Sequence, residues 1–557
     1  MIVTRGASYD GSLMVTHSDD NELSDQRFIF VPRRKNKKGA KRGVVAGTDC
    51  TWPRLVSDER GPGYKMPGHA LTPLIGHIPE VDQTYAYFDG NYGIMNEHNL
   101  MMGECTNGAK YQPNFVTEAQ SKKTKQHIRY FYSAELSRIA LERCKTAREA
   151  VKLMGKLIDT YGYFSTGETL LVGDEDEAWV FEMCALPDEK YHSAWVAQRV
   201  PDGDMFVAAN EFRIRNLVLN DPDNFQFSPL LLPGVIKIGW APPGTTSVDW
   251  LKTVSNGEYN HPYYSLRRVW RVMDRVNPDM CLSPWAADGY TTQYPFSIKP
   301  KNKLKQTDVF ALYRDHYEGT QFDLTKGVAA GPYGNPNRYF GTYDGNQNNV
   351  TVGQKPYGAW ERPLSVYYQG YTYVAQTQKN SKDLLKGIVW FGPDVSYTTC
   401  FAPFPSTILN LPESYQTGSP QTFDRAIAWW AFDFVANWAR LNFQRMTQVD
   451  ILPLQRELEA MQLQVVEQWK KQFDKAGKQN EEQLTKLCIA NAQSVVKRWW
   501  SLADMLIAKY SDGYLNNPGT DGVVSIGYPA DWLGKTDYSD GPVSYDMKMK
   551  KGMLAYL

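Results

Sequence analysis

The chain has 557 residues, of which 42% are hydrophobic, 22% charged and 13% aromatic, and its formal net charge is zero. This composition is typical of a globular protein and excludes an intrinsically disordered chain. The absence of net charge excludes a protein whose overall field attracts nucleic acid or an acidic membrane surface. The length predicts two to four structural units, although a single large α/β domain can also reach it.

The cysteines form no recognisable framework. There are seven of them, an odd number, and no two stand in a CxxC spacing. This distribution argues against a disulfide-stapled fold and a zinc ribbon, and it predicts that most of the thiols are buried. The sequence has no run of about eighteen apolar residues, so it predicts no spanning helix, and it shows no signal peptide.

The first twenty residues predict a β-hairpin. Apolar residues at Met1–Val3 and Leu13–Thr16 flank a turn with Asp10-Gly11 at its tip, and Asp-Gly between two apolar runs is a strong hairpin signal. The second strand ends in the polar cluster His17–Asp20. The hairpin therefore brings an imidazole and carboxylates to one strand end.

Three further features are predicted in the first third of the chain. Residues 32–42 carry seven basic side chains without interleaved aromatic residues, so we interpret them as a solvated loop between strands rather than a nucleic-acid patch. Thr84–Met95 predicts a second hairpin around an Asp-Gly turn. Ser133–Tyr161 predicts one amphipathic helix, because apolar residues recur every three to four positions.

Strand pairs continue through the middle of the chain. Residues 167–184 predict strand, acidic turn and strand, and residues 195–210 repeat this pattern around Pro201–Gly203. A short helix is predicted over Arg267–Arg275, and strands return in residues 285–415. Hairpins separated by helices predict an α+β fold of antiparallel sheets with helices packed outside, rather than a doubly wound βαβ fold.

The last quarter of the chain changes in character. Helical patterns are predicted over residues 423–446, 451–471 and 481–510. We therefore divide the chain into a core domain, residues 1–415, and a helical carboxyl-terminal extension, residues 416–557, that packs on the core.

Several common catalytic motifs are missing from the sequence. It contains no P-loop, no GxGxxG after a strand, no HExxH and no GxSxG, and the eight histidines are isolated. An enzyme built this way must find its general base elsewhere. One solution is an amino-terminal nucleophile, whose own α-amine has a pKa of about 7.7 to 8.0 and acts as the base.

Residues 7–12 (ASYDGS), between the strands of the first hairpin, resemble the amino terminus of a family of N-terminal-nucleophile (Ntn) cysteine hydrolases. This family includes bacterial broad-specificity dipeptidases and is related to bile-salt and penicillin V amide hydrolases. Five further blocks match the family in the same order and span most of residues 1–415. They are YGIMNEH (92–98), GETLLVGDEDEAWVFE (167–182), WVAQRVPDGDMFVAANEFRI (195–214), YSLRRVWR (264–271) and FGPDVSYTTCFAPFP (391–405).

The resemblance implies a four-layer αββα Ntn-hydrolase sandwich and the hydrolysis of short peptides, namely dipeptides, through a cysteine thioester. It implies no metal or nucleotide cofactor. In the family the mature chain begins with the nucleophilic cysteine, followed by Thr-Thr. Aligned on residues 7–12, this cysteine falls three residues before Met1 and is therefore not part of the sequence.

Three residues match catalytic positions of the family. Asp20 matches an acid beside the amine of the nucleophile, and it could otherwise be a solvated strand-end carboxylate. Asn210 matches an oxyanion donor, and it could otherwise form a turn. Arg267 matches an arginine near the nucleophile that can hold a thiolate or a substrate carboxylate, and it could otherwise lie on the helix surface.

Other residues near these positions are weaker candidates. We count His17, Thr106 and Asn107 as substrate-binding candidates: His17 replaces an arginine of the related amide hydrolases, and the other two lie where relatives have a second oxyanion donor. Glu97-His98 is interpreted as structural, since neighbouring strand residues face opposite sides. Cys105 is interior in the sequence and is not expected to be the nucleophile.

Two alternatives to a dipeptidase stay open. The scaffold could cleave another linear amide, such as an N-acyl amino acid or a bile-salt-like conjugate, or it could be a catalytically dead relative that binds without cleaving. Short peptides are the expected partners, with no nucleic acid and no membrane. A homo-oligomer and the compartment, cytoplasmic or secreted, also stay open.

Overall fold

The computed structural model describes residues 1–21, 23–46, 51–125, 128–187, 193–257, 264–286, 288–339, 360–379, 383–476, 480–516 and 522–536. Its strands are β1 Ile2–Val3, β2 Leu13–Asp19, β3 Ile29–Val31, β4 Arg34–Lys35, β5 Lys41–Val45, β6 Leu74–Pro79, β7 Gln83–Thr84, β8 Tyr87–Asp89, β9 Gly93–Asn96, β10 Met101–Asn107, β11 Gly167–Gly173, β12 Ala178–Ala185, β13 Ser193–Arg199, β14 Met205–Phe206, β15 Phe225–Phe227, β16 Ser297–Ile298, β17 Tyr371–Thr377, β18 Gly387–Pro393, β19 Ala402–Pro405, β20 Tyr514–Asn516 and β21 Val523–Ser525.

Its helices follow the same chain order. They are α1 Glu118–Thr124, α2 Ser133–Arg143, α3 Ala147–Tyr161, α4 Leu231–Lys237, α5 Trp250–Val254, α6 Leu266–Val276, α7 Gln306–Tyr313, α8 Glu413–Gln416, α9 Ala428–Ala439, α10 Phe443–Arg445, α11 Leu452–Ala476, α12 Glu481–Lys509 and α13 Ala530–Leu533. None of the described helices is both long enough and apolar enough to span a lipid bilayer.

Two large antiparallel sheets form the centre of the molecule. The seven-stranded sheet has the order β16-β14-β1-β2-β17-β18-β19, and the eight-stranded sheet has the order β15-β13-β12-β11-β10-β9-β8-β3. The first predicted hairpin is confirmed as β1 and β2, with Ile2 opposite Val15. β1 therefore lies inside a sheet, between β2 and β14.

The inner faces of the two sheets pack directly on each other. Gly103 and Gly173 of the eight-stranded sheet face β2 so closely that a Cβ atom on Gly173 would come within 2.6 Å of Val15. Along β11 the side chains alternate: Leu171 belongs to the core between the sheets, whereas Leu170 packs in the cluster with the helices. The alternation buries both faces of this sheet.

Helices cover the outer face of each sheet. α2 and α3 pack on β9, β12 and β13, while α7, α9, α11 and α12 pack on β17, β18 and β19. The layer order is therefore helix, sheet, sheet, helix, and the predicted α+β sandwich with four αββα layers is confirmed. The domain boundary at residue 415 stays a prediction, and residues 537–557 of the predicted extension lie outside the described residues.

The single helix predicted over Ser133–Tyr161 was wrong. The structure has two helices, and Cys144 between them is extended, with φ −114° and ψ 151°. A new helix starts after Thr146, whose side chain accepts the backbone N–H of Glu149 while Glu149 caps the backbone of Thr146 in return. This capping box favours a fresh helix start, which the apolar periodicity alone does not reveal.

The hairpin predicted over residues 195–210 was also wrong. β13 belongs to the eight-stranded sheet and β14 to the seven-stranded one, so the turn at Pro201–Gly203 passes the chain from one sheet to the other. β14 then pairs with β1, with Phe206 opposite Ile2. This crossing carries the segment after β14 to the amino end of β1.

The basic run at residues 32–42 is more ordered than the predicted solvated loop. It contributes β4 and the start of β5. Arg42 is only 3% exposed and forms ion pairs with Glu135 at 2.9 Å and Glu142 at 2.6 Å. Two buried carboxylates on α2 thus hold one of the seven basic side chains, because an unpaired guanidinium could not be buried there.

Candidate active site

A cavity of about 240 Å³ lies where the amino end of β1 meets the carboxyl end of β2. Its lining includes Met1, residues 16–21 at the end of β2, Glu104–Thr106 of β10 and Val207–Asn210 after β14. These segments come from both sheets, and the crossing after β13 brings the last of them into place. The cavity is therefore a product of the topology rather than of one local motif.

Asp20 lies in this cavity and is held by a residue distant in sequence. Its Oδ2 accepts a hydrogen bond of 2.6 Å from Nη2 of Arg362. Arg362 also donates to the hydroxyl of Tyr264, and its guanidinium lies 4.8 Å from the centre of that ring. The other Asp20 oxygen, Oδ1, is buried with no hydrogen-bond partner among the described residues.

The Asn210 side chain is held at the cavity by three hydrogen bonds. Its backbone has φ +58°, the left-handed conformation that Asn tolerates better than most residues. Oδ1 accepts hydrogen bonds from Arg268 at 2.8 Å and Arg362 at 3.1 Å. Nδ2 donates to the carbonyl of Thr106 at 2.8 Å. Because guanidinium groups only donate, the atom facing them must be the oxygen, so the amide orientation is fixed.

Of the two adjacent arginines on α6, Arg268 lies at the cavity and the predicted Arg267 does not. Arg268 lines the cavity. The Arg267 guanidinium lies 3.6 Å from the centre of the Phe322 ring and 3.8 Å from Glu361, and Arg267 is absent from the cavity lining. One residue along an α-helix rotates the side chain by about 100°, so two adjacent arginines point to different surroundings.

His17 lines the cavity as a neutral ring. Its Nδ1 accepts a 3.0 Å hydrogen bond from the backbone N–H of Glu104, so Nδ1 carries no proton. Burial lowers the pKa of His17 to about 3. The ring stacks on Tyr373 with an interplanar angle of 6°. Although a Glu104 carboxylate oxygen is 3.8 Å from Nδ1, a neutral ring supplies no positive charge there.

Thr106 and Asn107 separate in the structure. Thr106 lines the cavity, and its hydroxyl donates to the Glu104 carboxylate at 2.8 Å. Asn107 is fully buried and donates from Nδ2 to Thr169 at 2.7 Å, outside the cavity lining. Only the first of these two candidates can therefore reach a molecule in the cavity without rearrangement.

The remaining candidates do not supply a nucleophile or base. Cys105 lines the cavity, but burial raises the pKa of its thiol to about 12, which keeps it protonated near neutral pH. Its Sγ accepts a hydrogen bond of 2.8 Å from the Asn210 backbone. Glu97 pairs with Arg33, and His98 packs edge-on against Tyr85, both outside the cavity lining.

Arg362 was missed by the sequence analysis. It precedes a proline and stands outside every block that resembles the family, so no local pattern marks it. The one available signal is indirect: the segment before β17 must lie next to the end of β2, because these strands pair with Tyr371 opposite Asp19. Without this strand pairing, the sequence does not predict that Arg362 lies near Asp20.

Comparison with known proteins identifies the family. The model of peptidase family C69 matches residues 1–451. A probable dipeptidase of Latilactobacillus sakei is 24% identical over 453 residues, 81% of this chain and 82% of the relative. A probable dipeptidase of Salmonella dublin is 25% identical over 415 residues, 72% and 79% of the two chains. Dipeptidase A of Lactobacillus helveticus is 22% identical over 285 residues, about half of each chain. The family model covers most of the chain, and the predicted membership is confirmed: the protein belongs to peptidase family C69.

Proposed function

We propose that the protein hydrolyses dipeptides with an amino-terminal cysteine as its nucleophile, and that this cysteine occupies the third position before Met1. The family and the three dipeptidase relatives support the reaction. The cavity volume of about 240 Å³ suits a ligand smaller than the drug-sized molecules that fill pockets of roughly 300–1,000 Å³.

The strand register around β1 is the observation that carries this proposal. Met1 and Thr16 exchange two backbone hydrogen bonds, of 3.1 and 2.9 Å. Ile2 lies opposite Val15 on one side and Phe206 on the other. Continuing both registers by three residues would bring the proposed cysteine opposite Asp19 and Asn210. These two positions flank the cavity, and Asp20 follows directly.

In the proposed reaction the α-amine takes the thiol proton, and the thiolate attacks the scissile carbonyl carbon. The resulting oxyanion accepts a hydrogen bond from the second N–H of the Asn210 amide, since its first N–H is used by Thr106. The protonated amine then gives its proton to the leaving amino acid as the C–N bond breaks. Water hydrolyses the thioester, and the thiol is regenerated.

Three charged side chains have assigned parts in this proposal. Asp20 orients the α-amine, and Arg362 holds Asp20 in place through their 2.6 Å ion pair. The role predicted for Arg267 is transferred to Arg268, which contacts Asn210 directly. His17, being neutral, contributes shape rather than charge to the cavity wall.

The test is to express the chain with Met-Cys-Thr-Thr ahead of Met1, so that removal of the initiator methionine exposes the cysteine. Mass spectrometry verifies the new amino terminus, and a dipeptide panel measures activity. We expect hydrolysis by this form and none by the matched serine form. Cleavage of N-acyl amino acids but no dipeptide, or binding of dipeptides without cleavage, would overturn the proposal. Amino-terminal sequencing of the native protein checks the start independently.

A further inference from the structure

The charges around Asn210 do not balance. Two guanidinium groups, Arg268 and Arg362, donate to the same Asn210 Oδ1. Arg362 forms an ion pair with Asp20 at 2.6 Å. Among the residues that the structure describes, Arg268 has no carboxylate within 4.0 Å. The other two carboxylates of the cavity lining, Asp19 and Glu104, accept hydrogen bonds from Asn91 and Thr106. Arg268 is therefore a guanidinium of the cavity wall without an ion-pair partner among the described residues.

Arg268 is also held rigidly. Its Nε donates to the Tyr264 carbonyl at 2.9 Å, and Nη2 donates to Asn210 Oδ1 at 2.8 Å and the Ala209 carbonyl at 3.3 Å. No described residue accepts from its remaining nitrogen, Nη1, although Arg268 lines the cavity. A guanidinium that is already oriented loses little further freedom when a carboxylate binds to it.

We propose that Arg268 is a specificity-determining residue that binds the free α-carboxylate of the substrate, so that the cavity selects peptides with an unblocked carboxyl terminus. This inference rests on the proposed dipeptidase function. It assigns the Arg268 guanidinium, which has no ion-pair partner among the described residues, to the substrate rather than to the nucleophile.

The dimensions of a dipeptide support this assignment. Its carboxylate lies one residue repeat, about 3.3–3.6 Å, from its single peptide bond. The group that binds the carboxylate must therefore adjoin the residues that act on the peptide bond. Arg268 does so, since it lies one hydrogen bond from Asn210. Charge-assisted pairing of guanidinium and carboxylate is also the geometry that arginine favours.

The experiment compares a dipeptide with the same dipeptide carrying a carboxyl-terminal amide, using the cysteine-extended protein. For the cysteine-extended protein without further substitution, we expect kcat/KM to be about 100-fold or more higher on the free dipeptide than on its amide. Arg268→Gln should lose about 100-fold on the free dipeptide but less than about 3-fold on the amide. Arg268→Lys, which keeps the charge, should recover part of the preference. Arg275→Gln, on the same helix but outside the cavity lining, is the matched control.

Two results would overturn the inference while leaving the proposed function intact. One is equal loss on both substrates in Arg268→Gln, which would assign Arg268 to the reacting atoms. The other is equal cleavage of both substrates by the unaltered protein. If neither substrate is cleaved, the proposed function fails, and calorimetry decides the inference separately. The free dipeptide should then bind the unaltered protein at least about 10-fold more tightly than Arg268→Gln, and equal affinities would refute it.

Discussion

Two clusters of buried charged side chains differ in whether their positive and negative charges are equal in number. The first, here called the wall network, joins α2 to β5, β8 and the loop before β6, and it consists of Arg42, Arg60, Arg138, Glu135, Glu142 and Asp89. It has three positive and three negative side chains, each joined to another at 3.5 Å or less. The second, the cavity cluster, consists of Arg268, Arg362 and Asp20, with two positive charges and one negative.

Buried charge alone does not mark a functional site. The wall network is sealed and complete, so nothing else is needed to neutralise it. The cavity cluster keeps a positive charge that cannot be lost, because a guanidinium stays protonated in proteins. Arg268, the guanidinium of this cluster without an ion pair, lines a cavity that a ligand can enter, and this distinguishes the candidate site from the wall network.

The largest expected effect on stability comes from the wall network. Glu135→Gln removes the carboxylate shared by Arg42, Arg60 and Arg138. We expect the free energy of unfolding to fall by about 3–5 kcal/mol, because buried cations lose their partner. Urea unfolding measures this free energy. The control is Glu457→Gln, which removes an exposed carboxylate paired to Arg498 and should change the free energy of unfolding by less than about 1 kcal/mol. An equally small effect at Glu135 would show that the wall network does not depend on its balanced charges.

In the cavity cluster, Asp20→Asn should affect turnover more than folding. Under the proposed mechanism the α-amine loses its orienting charge, and we expect kcat to fall by about 100-fold or more. The loss of stability should be smaller than for Glu135→Gln, since the cavity admits water to Arg362. Steady-state kinetics and urea unfolding on the same samples provide both numbers. If Asp20→Asn lowers the free energy of unfolding by more than it raises the activation free energy of turnover, Asp20 has a structural role.

Asn210→Gly separates the amide of Asn210 from its backbone conformation. Glycine tolerates the φ of +58°, so the turn should survive while the oxyanion donor is removed. We expect kcat to fall by about 100- to 1,000-fold with KM little changed. A change in KM alone would assign Asn210 to substrate binding instead.

A smaller effect, on the pH dependence of stability, is expected at a pair of neighbouring carboxyls outside the cavity cluster. Asp394 and Asp433 lie close enough to repel each other, with Arg440 nearby. Burial, aided by this repulsion, raises the pKa of Asp394 well above its usual range, and burial raises the pKa of Asp433 to about 6. A surplus of carboxylates can thus be relieved by protons, whereas a surplus of guanidiniums cannot.

The sign of the pH effect follows from these raised pKa values. Between about pH 4 and pH 6 these two carboxyls bind more protons in the folded protein than in the unfolded chain, so their contribution to the free energy of unfolding decreases as the pH rises through this range. Asp433→Asn should therefore raise that free energy at pH 7.5 by about 1–3 kcal/mol and flatten its pH dependence. Urea titrations at pH 4.5 and 7.5 check both effects, and destabilisation at pH 7.5 would contradict the assignment.

The sequence predicted the elements of the fold better than their partners. The hairpin of β1 and β2 and the helix around Arg267 follow from local patterns, and both are present. The strands within residues 195–210 were also found, but a local pattern cannot tell a hairpin from a chain that changes sheets. Pairing is decided by which buried face each strand covers, and that depends on distant residues.

The same limit applies to the candidate site. Asp20 and Asn210 could be located because they stand in blocks that resemble the family, and the cavity lining includes both. The choice between Arg267 and Arg268 depends on how α6 is rotated against the sheets, which adjacent residues of similar character do not reveal. Arg362 could be found only from the pairing of β17 with β2.

The ion pair between Asp20 and Arg362 joins residues 342 positions apart. During translation at about 5–20 residues per second, Arg362 is synthesised about 17–70 s after Asp20. In the proposed enzyme the amino-terminal cysteine therefore leaves the ribosome long before its surroundings exist. A nascent chain has the nucleophile without the site, so peptide hydrolysis begins only when nearly all of the core has been made.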